Sequence, residues 1–457
     1  MLYDDTIVAV ATPPGEGGIS VVRVSGPQAL DILQTLFQPT RSGRWQSYRM
    51  RHGHVVDSTG ALIDEALAVF FRGPRSFTAE DVVEMSCHGG ALVVGRVVEL
   101  TLAQGARLAE PGEFTMRAFA NGRIDLAQAE ATLDVIQART DANLRMAQAQ
   151  LGGWLSNELV ALRATLIEPL AYVTALIDFP EDEIETGEID TPIRTALAQV
   201  ERLLASADQG IVYRQGARVA LVGRPNAGKS SLLNALLRTD RAIVTPIPGT
   251  TRDTLEETAN IAGIPVVLID TAGMTETDDV VERIGVGRSR VALSQADLVL
   301  LVHDITQPFG EEERKIAALA TGRPLIVVLN KSDMLAAGEN LPGTDYANGS
   351  TPLHPPLVLS ALIGTGLDDL RNIIAHMLLG SVSTGDNQMI TNPRHRDALR
   401  QAAAHLHDAL AGTARNLPPD LLAIDLTGAL VALGTITGEG VGDDLLAAIF
   451  SRFCIGK

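Results

Sequence analysis

Cysteine, aromatic residues and positive charge are all scarce in this chain. Two of its 457 residues are cysteine, Cys87 and Cys454, too few and too far apart for a disulfide framework. A reduced, cytoplasmic setting is therefore expected. Aromatics make up 4% of the residues against 46% hydrophobic in all, so the cores must be built largely from Ala, Leu and Val. Long uninterrupted apolar runs are missing too. Residues 298–302 and 324–329 are short enough for buried strands and fall below the ~18 residues of a membrane span. The opening Met1-Leu2-Tyr3-Asp4-Asp5 lacks the basic start and apolar stretch of a signal peptide, so no membrane association is expected. The formal net charge is −18, which repels nucleic-acid phosphates overall. Any RNA contact then needs a local basic patch or a partner protein.

A chain this long exceeds one core and is expected to form two to four domains. Up to about residue 120, strand-like runs at 6–11, 19–24, 66–71 and 82–87 alternate with helical stretches at 27–36 and 92–103. Gly- and Pro-containing turns separate them, as in a small α+β domain. From about 125 to 207 the sequence is Ala/Leu/Gln-rich and helical, broken at Phe179-Pro180 ahead of Glu181-Asp182-Glu183. Residues 218–222 then open a strand/helix alternation, continued by strands at 265–269, 298–303, 325–329 and 357–359. That alternation is the mark of a parallel, doubly wound sheet. Helical texture returns after about residue 380 at 394–410, 421–433 and 443–450. The expected order is an α+β domain over 1–121, a helical domain over 122–215 and 380–457, and an α/β domain over 216–379 inserted into it.

The chemistry concentrates in the inserted block. Gly223-Arg224-Pro225-Asn226-Ala227-Gly228-Lys229-Ser230 matches the G-x-x-x-x-G-K-[ST] phosphate loop, between a strand and a helix beginning near Ser231. Backbone N–H groups and the helix N-terminus favour phosphate there. Lys229 is placed to reach the β- and γ-phosphates, and the Ser230 hydroxyl to ligate Mg²⁺. Asp270-Thr271-Ala272-Gly273 follows the next strand, putting Asp270 near the metal and the Gly273 N–H near the γ-phosphate. Asn330-Lys331-Ser332-Asp333 follows another. Its Asp333 carboxylate can accept from guanine N1–H and the 2-amino group, donors that adenine lacks. Ser360-Ala361-Leu362 follows the last strand and can supply backbone contacts to the base. The set specifies GTP.

Hydrolysis is less clearly written. Many GTPases place a glutamine after D-x-x-G to orient the attacking water, but Met274 stands there and cannot. Thr245-Pro246-Ile247-Pro248-Gly249-Thr250-Thr251-Arg252-Asp253 occupies the first switch position, with Thr251 a sensible second Mg²⁺ ligand. Glu282 lies in the second switch region and either orients water or is one more exposed helix carboxylate. Cys454 is a candidate thiol nucleophile, although lone cysteines near chain ends are usually inert.

Further strings carry a resemblance that covers the chain. They include Phe77-Thr78-Ala79-Glu80-Asp81, Pro111-Gly112-Glu113-Phe114 with Arg117-Ala118-Phe119, Ile177-Asp178-Phe179-Pro180 and the closing Phe453-Cys454-Ile455-Gly456-Lys457. With Gly249-Thr250-Thr251-Arg252-Asp253 they make the sequence resemble the MnmE (TrmE) family of bacterial tRNA-uridine-modification GTPases. The resemblance implies a multidomain α/β protein: an N-terminal α+β folate-binding-type domain, a helical domain and an inserted Ras-like P-loop GTPase domain. It implies K⁺ beside the phosphates, ligated by Asn226, Thr245, Ile247 and Thr250, and a water-orienting role for Glu282. It also implies formyl-tetrahydrofolate bound by Arg23, Glu80, Arg123 and Lys457, and a functional Cys454. A homodimer and a complex with an FAD-dependent flavoprotein (a heterotetramer) are implied as well, the complex acting at C5 of the tRNA wobble uridine. Much of the tRNA contact would then fall to the partner. Two other readings share the nucleotide motifs: a regulatory or ribosome-assembly GTPase switch, and a folate-dependent one-carbon transferase with a degenerate GTPase domain.

Overall fold

The computed structural model describes residues 4–179, 187–239, 257–270, 293, 295–320, 322–335, 354–380 and 388–457. The chain divides into two compact units. One comprises Met1–Leu133, Leu151–Asn157 and Leu433–Lys457; the other comprises Asp134–Gln150 and Glu158–Ala432.

The first unit is built on a seven-stranded sheet. Its strands are β1 (Ile7–Val10), β2 (Gly17–Ser25), β3 (Phe37–Pro39), β4 (Arg51–Val56), β5 (Leu62–Phe71), β6 (Val82–Gly89) and β7 (Arg107–Leu108). They lie in the order β3-β4-β5-β6-β2-β1-β7, antiparallel except where β1 meets β7. Alternate residues Val22, Val24, Val83, Met85, Ala66, Ala68 and Phe70 face helices Ala29–Leu36 and Ala91–Ala103. Ile32, Leu33, Val94 and Val97 fill the space between. On the other face Ile7 and Ala9 pack with Ala109 and Phe114. The C-terminal helix Asp443–Phe450 joins this unit through Ile449, Phe450 and Phe453, which cluster with Leu126, Ala129 and Leu133. The tail beyond it runs against β1. A Cβ at Gly456, which has φ +94°, would lie 2.3 Å from the Val10 carbonyl oxygen, so only glycine fits.

The second unit holds a six-stranded sheet. β8 (Ala217–Val222), β9 (Glu257–Ile261), β10 (Ile264–Asp270), β11 (Leu298–Asp304), β12 (Leu325–Asn330) and β13 (Leu357–Val358) lie in the order β13-β12-β11-β8-β10-β9. All neighbours are parallel except β9 and β10. Both faces are covered, which is why the central strands read as unbroken apolar runs. Val219 and Leu221 face one core with Leu232 and Leu236, while Ala220 and Val222 face the other with Leu301 and Val327. Each fully buried leucine here contributes about 1.5–3 kcal/mol of transfer free energy. The antiparallel β9 was not legible in the sequence: Glu-Thr-Ala-Asn-Ile is half polar, as an edge strand with one buried face can be.

Helix Trp154–Asp178 ends two residues before Pro180, as the sequence break requires. Two helices are more apolar over their length than the short runs of the sequence suggest. Helices Trp154–Asp178 and Pro419–Thr437 each reach a mean hydropathy of 1.5 over an 18-residue window, so by length and composition either can cross a bilayer. A search for uninterrupted runs missed them because sparse polar residues interrupt the Ala, Leu and Val. Core helices of soluble proteins pass the same test, and each of these carries a buried edge: Leu155, Leu159, Leu162 and Leu166 in one, Leu426, Ala429, Leu433 and Ile436 in the other.

Candidate functional site

At the carboxyl ends of β8, β10 and β12 the second unit gathers the nucleotide motifs. The phosphate loop leaves β8 and enters helix Lys229–Thr239. Asn226 takes φ +62°, turning the loop at an exposed point, while Ala227 beneath it is buried. Lys229 is 5% exposed, and its ammonium donates to the carbonyls of Gly223 (2.9 Å) and Arg224 (2.7 Å). Burial pushes its pKa down, against the opposing attraction of Asp270. Ser230 donates its hydroxyl to Asp270 Oδ2 at 2.8 Å. Two hard oxygens on different elements thus meet at one point, the Ser230 hydroxyl with the Asp270 carboxylate beside it, a setting that fits Mg²⁺. Ser231 is exposed on the following turn.

The base-reading end is held by one amide. Asn330, 1% exposed, donates from Nδ2 to the Ala227 carbonyl at 3.0 Å and accepts the Ala361 N–H on Oδ1 at 3.0 Å. It therefore joins three loops that the chain separates widely. The approach is close: a Cβ at Gly228 would lie 2.2 Å from Asn330 Nδ2. Lys331 adopts φ +68°, and its ammonium meets Asp304 Oδ2 at 2.6 Å. The buried Ser360 hydroxyl bonds to Asp333 Oδ1, fixing the exposed carboxylate that is to read guanine. Ala361 is half-buried, and Leu362 is 82% exposed.

Thr245, Pro246, Ile247, Pro248, Gly249, Thr250, Thr251, Thr271, Ala272, Gly273, Met274 and Glu282 lie outside the described residues. Of the K⁺ ligands only Asn226 is described, and of the Mg²⁺ ligands only Ser230.

In the first unit, three of the four expected folate residues converge. The Arg23 guanidinium lies 5.2 Å from the centre of the Phe77 ring and bonds to Glu84 (2.8 Å) and the Gly456 carbonyl (3.2 Å). Arg123 lies 5.1 Å from the same ring and donates to the Phe77 carbonyl at 2.9 Å. Lys457 is close enough to Arg23 that repulsion adds to burial in lowering its pKa, while Glu84 and Cys454 oppose the shift. Two cations, Arg23 and Arg123, thus flank one aromatic ring, and Lys457 lies within electrostatic reach of Arg23. Glu80 is different: it is 2% exposed, accepts from Ser25 Oγ at 2.7 Å and pairs with Arg117 at 3.3 Å. Arg117, fully buried, also meets Asp5 (2.7 Å) and Glu113 (2.9 Å). Sequence reasoning missed this arginine as a support for Glu80. It missed Asp304 as well, whose Asp-x-Thr turn was the available signal. Cys454 is free and exposed; Cys87 is buried, its thiol pushed up to about 12 mainly by burial.

A phosphate loop on a parallel sheet, a strand-end aspartate beside its serine, and an N-K-x-D loop tied to the phosphate loop define a P-loop nucleotide-binding protein of the guanine-specific class. Comparison with known proteins narrows this. The model for "MnmE helical domain" matches residues 126–454, and that for "GTP-binding protein TrmE N-terminus" matches residues 6–123. The tRNA modification GTPase MnmE of Roseiflexus castenholzii is 60% identical over 472 residues, covering 100% of both chains. The one from Desulforamulus reducens is 46% identical over 464 residues, again covering 100% of each. A crystal structure of Aquifex aeolicus Era shares 30% identity over 41% of this chain and 66% of its own, with a TM-score of 0.28. The chain belongs to the MnmE family of tRNA modification GTPases.

Proposed function

We propose that this protein binds Mg²⁺–GTP, hydrolyses it to GDP and phosphate, and uses the cycle to drive modification of C5 of the tRNA wobble uridine. The observation that carries the GTP reading is the Asn330 amide, which ties the phosphate loop, N-K-x-D and the Ser360-Ala361 turn into one site. Ser230 and Thr251 would hold Mg²⁺, with the Asp270 carboxylate beside it through Ser230; when bound, the ion neutralises charge on the β- and γ-phosphate oxygens. Lys229 would exchange its two carbonyl partners for those phosphates. Glu282 would orient the attacking water, and K⁺ at Asn226, Thr245, Ile247 and Thr250 would supply the positive charge that a finger arginine supplies elsewhere.

In the same reading residues 1–121 bind formyl-tetrahydrofolate, 216–379 form the GTPase domain, and 122–215 with 380–457 form the helical domain. The cations at Arg23, Arg123 and Lys457 suit the folate carboxylates. Glu80 suits the pterin only through its narrow exposed edge, since Ser25 and Arg117 already engage it. A homodimer, a flavoprotein partner carrying much of the tRNA contact, a role for Cys454 and a cytoplasmic location complete the proposal. The deciding experiment is mass analysis of tRNA from cells lacking the protein. Loss of the aminomethyl-type group at the wobble uridine is expected, and an unchanged wobble position refutes the reading. Purified protein should also turn over GTP markedly faster in K⁺ than in Na⁺ at equal ionic strength; equal rates would remove K⁺ and point to Arg252.

A further inference from the structure

The chain between β11 and helix Glu311–Leu319 carries no nucleotide motif, yet it touches both ends of the site. At its start, Asp304 accepts Lys331 Nζ at 2.6 Å on Oδ2. Its Oδ1 accepts the Thr306 N–H (3.0 Å) and hydroxyl (2.7 Å). Burial works to raise the Asp304 pKa, but these bonds and the charge on Lys331 hold it below the usual carboxylate range. At its far end, Glu313 is fully buried. Its Oε2 accepts the Gly310 N–H at 2.9 Å, capping the helix. Its Oε1 lies 2.8 Å from Arg224 Nε and 3.1 Å from His303 Nδ1.

Arg224 is the second residue of the phosphate loop, and its carbonyl is one of the two that hold Lys229. Its guanidinium also lies against the Gly310 backbone, where a Cβ would come within 2.8 Å. His303 closes the array from β11, with Nε2 at 2.9 Å from the Gln307 carbonyl. A buried carboxylate is unfavourable unless it is paired and hydrogen-bonded; Gly310 and His303 supply hydrogen-bond partners here, and Arg224 supplies the fixed positive charge. Glu313 therefore restrains the phosphate loop, and Asp304 restrains the base loop. The ten residues from one to the other make a single support.

We infer that residues 304–313 are a brace for the guanine-nucleotide site, with Glu313 positioning the phosphate loop through Arg224 and Asp304 positioning the base loop through Lys331. The inference rests on the GTP reading above. It assigns two positioning residues with separable effects, because one acts on the phosphates and the other on the base.

The test is equilibrium binding of fluorescent GDP and of IDP, which lacks the 2-amino group that Asp333 is to accept. Wild-type binding of GDP tests the GTP reading by itself; if it is absent, that reading fails before any variant is made. Glu313→Gln keeps an oxygen for the Gly310 N–H but loses the charge that holds Arg224. It should weaken GDP and IDP alike, by about tenfold. Asp304→Asn should weaken GDP more than IDP, narrowing the preference for GDP several-fold. Arg224→Gln, altering a partly exposed side chain, should reproduce the Glu313→Gln loss, and the double variant should lose no more than either single one. Wild-type affinities in Glu313→Gln, additive losses in the double variant, or an unchanged GDP/IDP ratio in Asp304→Asn would each overturn the brace. Should Glu313→Gln fail to fold, the same reading is taken from Arg224→Gln, where undiminished GDP binding overturns it.

Discussion

Replacing Asn330 by alanine is the most direct test of how the site is assembled. The side chain is 1% exposed and spends both ends of its amide on backbone groups, the Ala227 carbonyl and the Ala361 N–H. In Asn330→Ala the Ala227 carbonyl loses this partner in a buried setting, a loss of about 1–3 kcal/mol. The Ala361 N–H is half-buried and can recover water, so its loss is about 0.5–1.5 kcal/mol. Together they predict about 2–4 kcal/mol, removed from the unit that holds the G motifs. At about 2–3 °C per kcal/mol for a unit of this size, its calorimetric transition should fall by roughly 4–12 °C. GDP affinity should fall with it, because three loops lose their common tie. An internal control is available. Trp45 lies in the sheet-based first unit, so in a variant whose Trp154 is replaced by phenylalanine the fluorescence transition should stay put. Asn330→Asp should do more damage than alanine, since it turns a carboxylate oxygen toward the Ala227 carbonyl. An unshifted calorimetric transition with wild-type GDP binding, or an aspartate variant indistinguishable from wild type, would refute the reasoning.

Asp333→Asn should move base preference from guanine to xanthine nucleotides, because the amide offers a donor where the carboxylate accepted; unchanged GTP affinity would sink the assignment. Glu282→Ala should leave nucleotide affinity intact and slow single-turnover hydrolysis, and a wild-type rate would return that residue to an ordinary surface carboxylate. His88 should titrate above the ~6.5 of free imidazole. The hydrogen bond from its Nδ1 to Asp64 (2.7 Å) stabilises the charged ring, so the pair's contribution to stability is complete below the unfolded pKa and lost as pH rises through the folded one. Proton NMR should show the midpoint returning toward the free value in Asp64→Asn; no return would remove Asp64 as the cause.

Part of this protein is written in local sequence. The phosphate loop declares itself because a glycine-rich turn between a strand and a helix leaves few other uses for Lys229 and Ser230. The parallel strands declare themselves because burial on both faces forces unbroken apolar runs such as residues 298–302 of β11. Strand β9, buried on one face and half polar, gave no such signal. Mean hydropathy, which averages over polar interruptions, likewise picks out two helices that a search for continuous runs passes over.

What tertiary structure alone decided is which distant residues share a bond. Glu80 and Arg123 stand in different surroundings once folded: one is enclosed by Ser25 and Arg117, the other lies over Phe77 beside Arg23. No spacing rule foretells that Arg117 would be fully buried among three carboxylates, or that Asp304 and Glu313 would reach the two ends of the nucleotide site. Sequence fixes residue type and local period, and those determined the nucleotide, the sheet and the family. Pairings across dozens of residues are set by how the packed faces bring loops together, so the supports of the site became visible only in the folded chain.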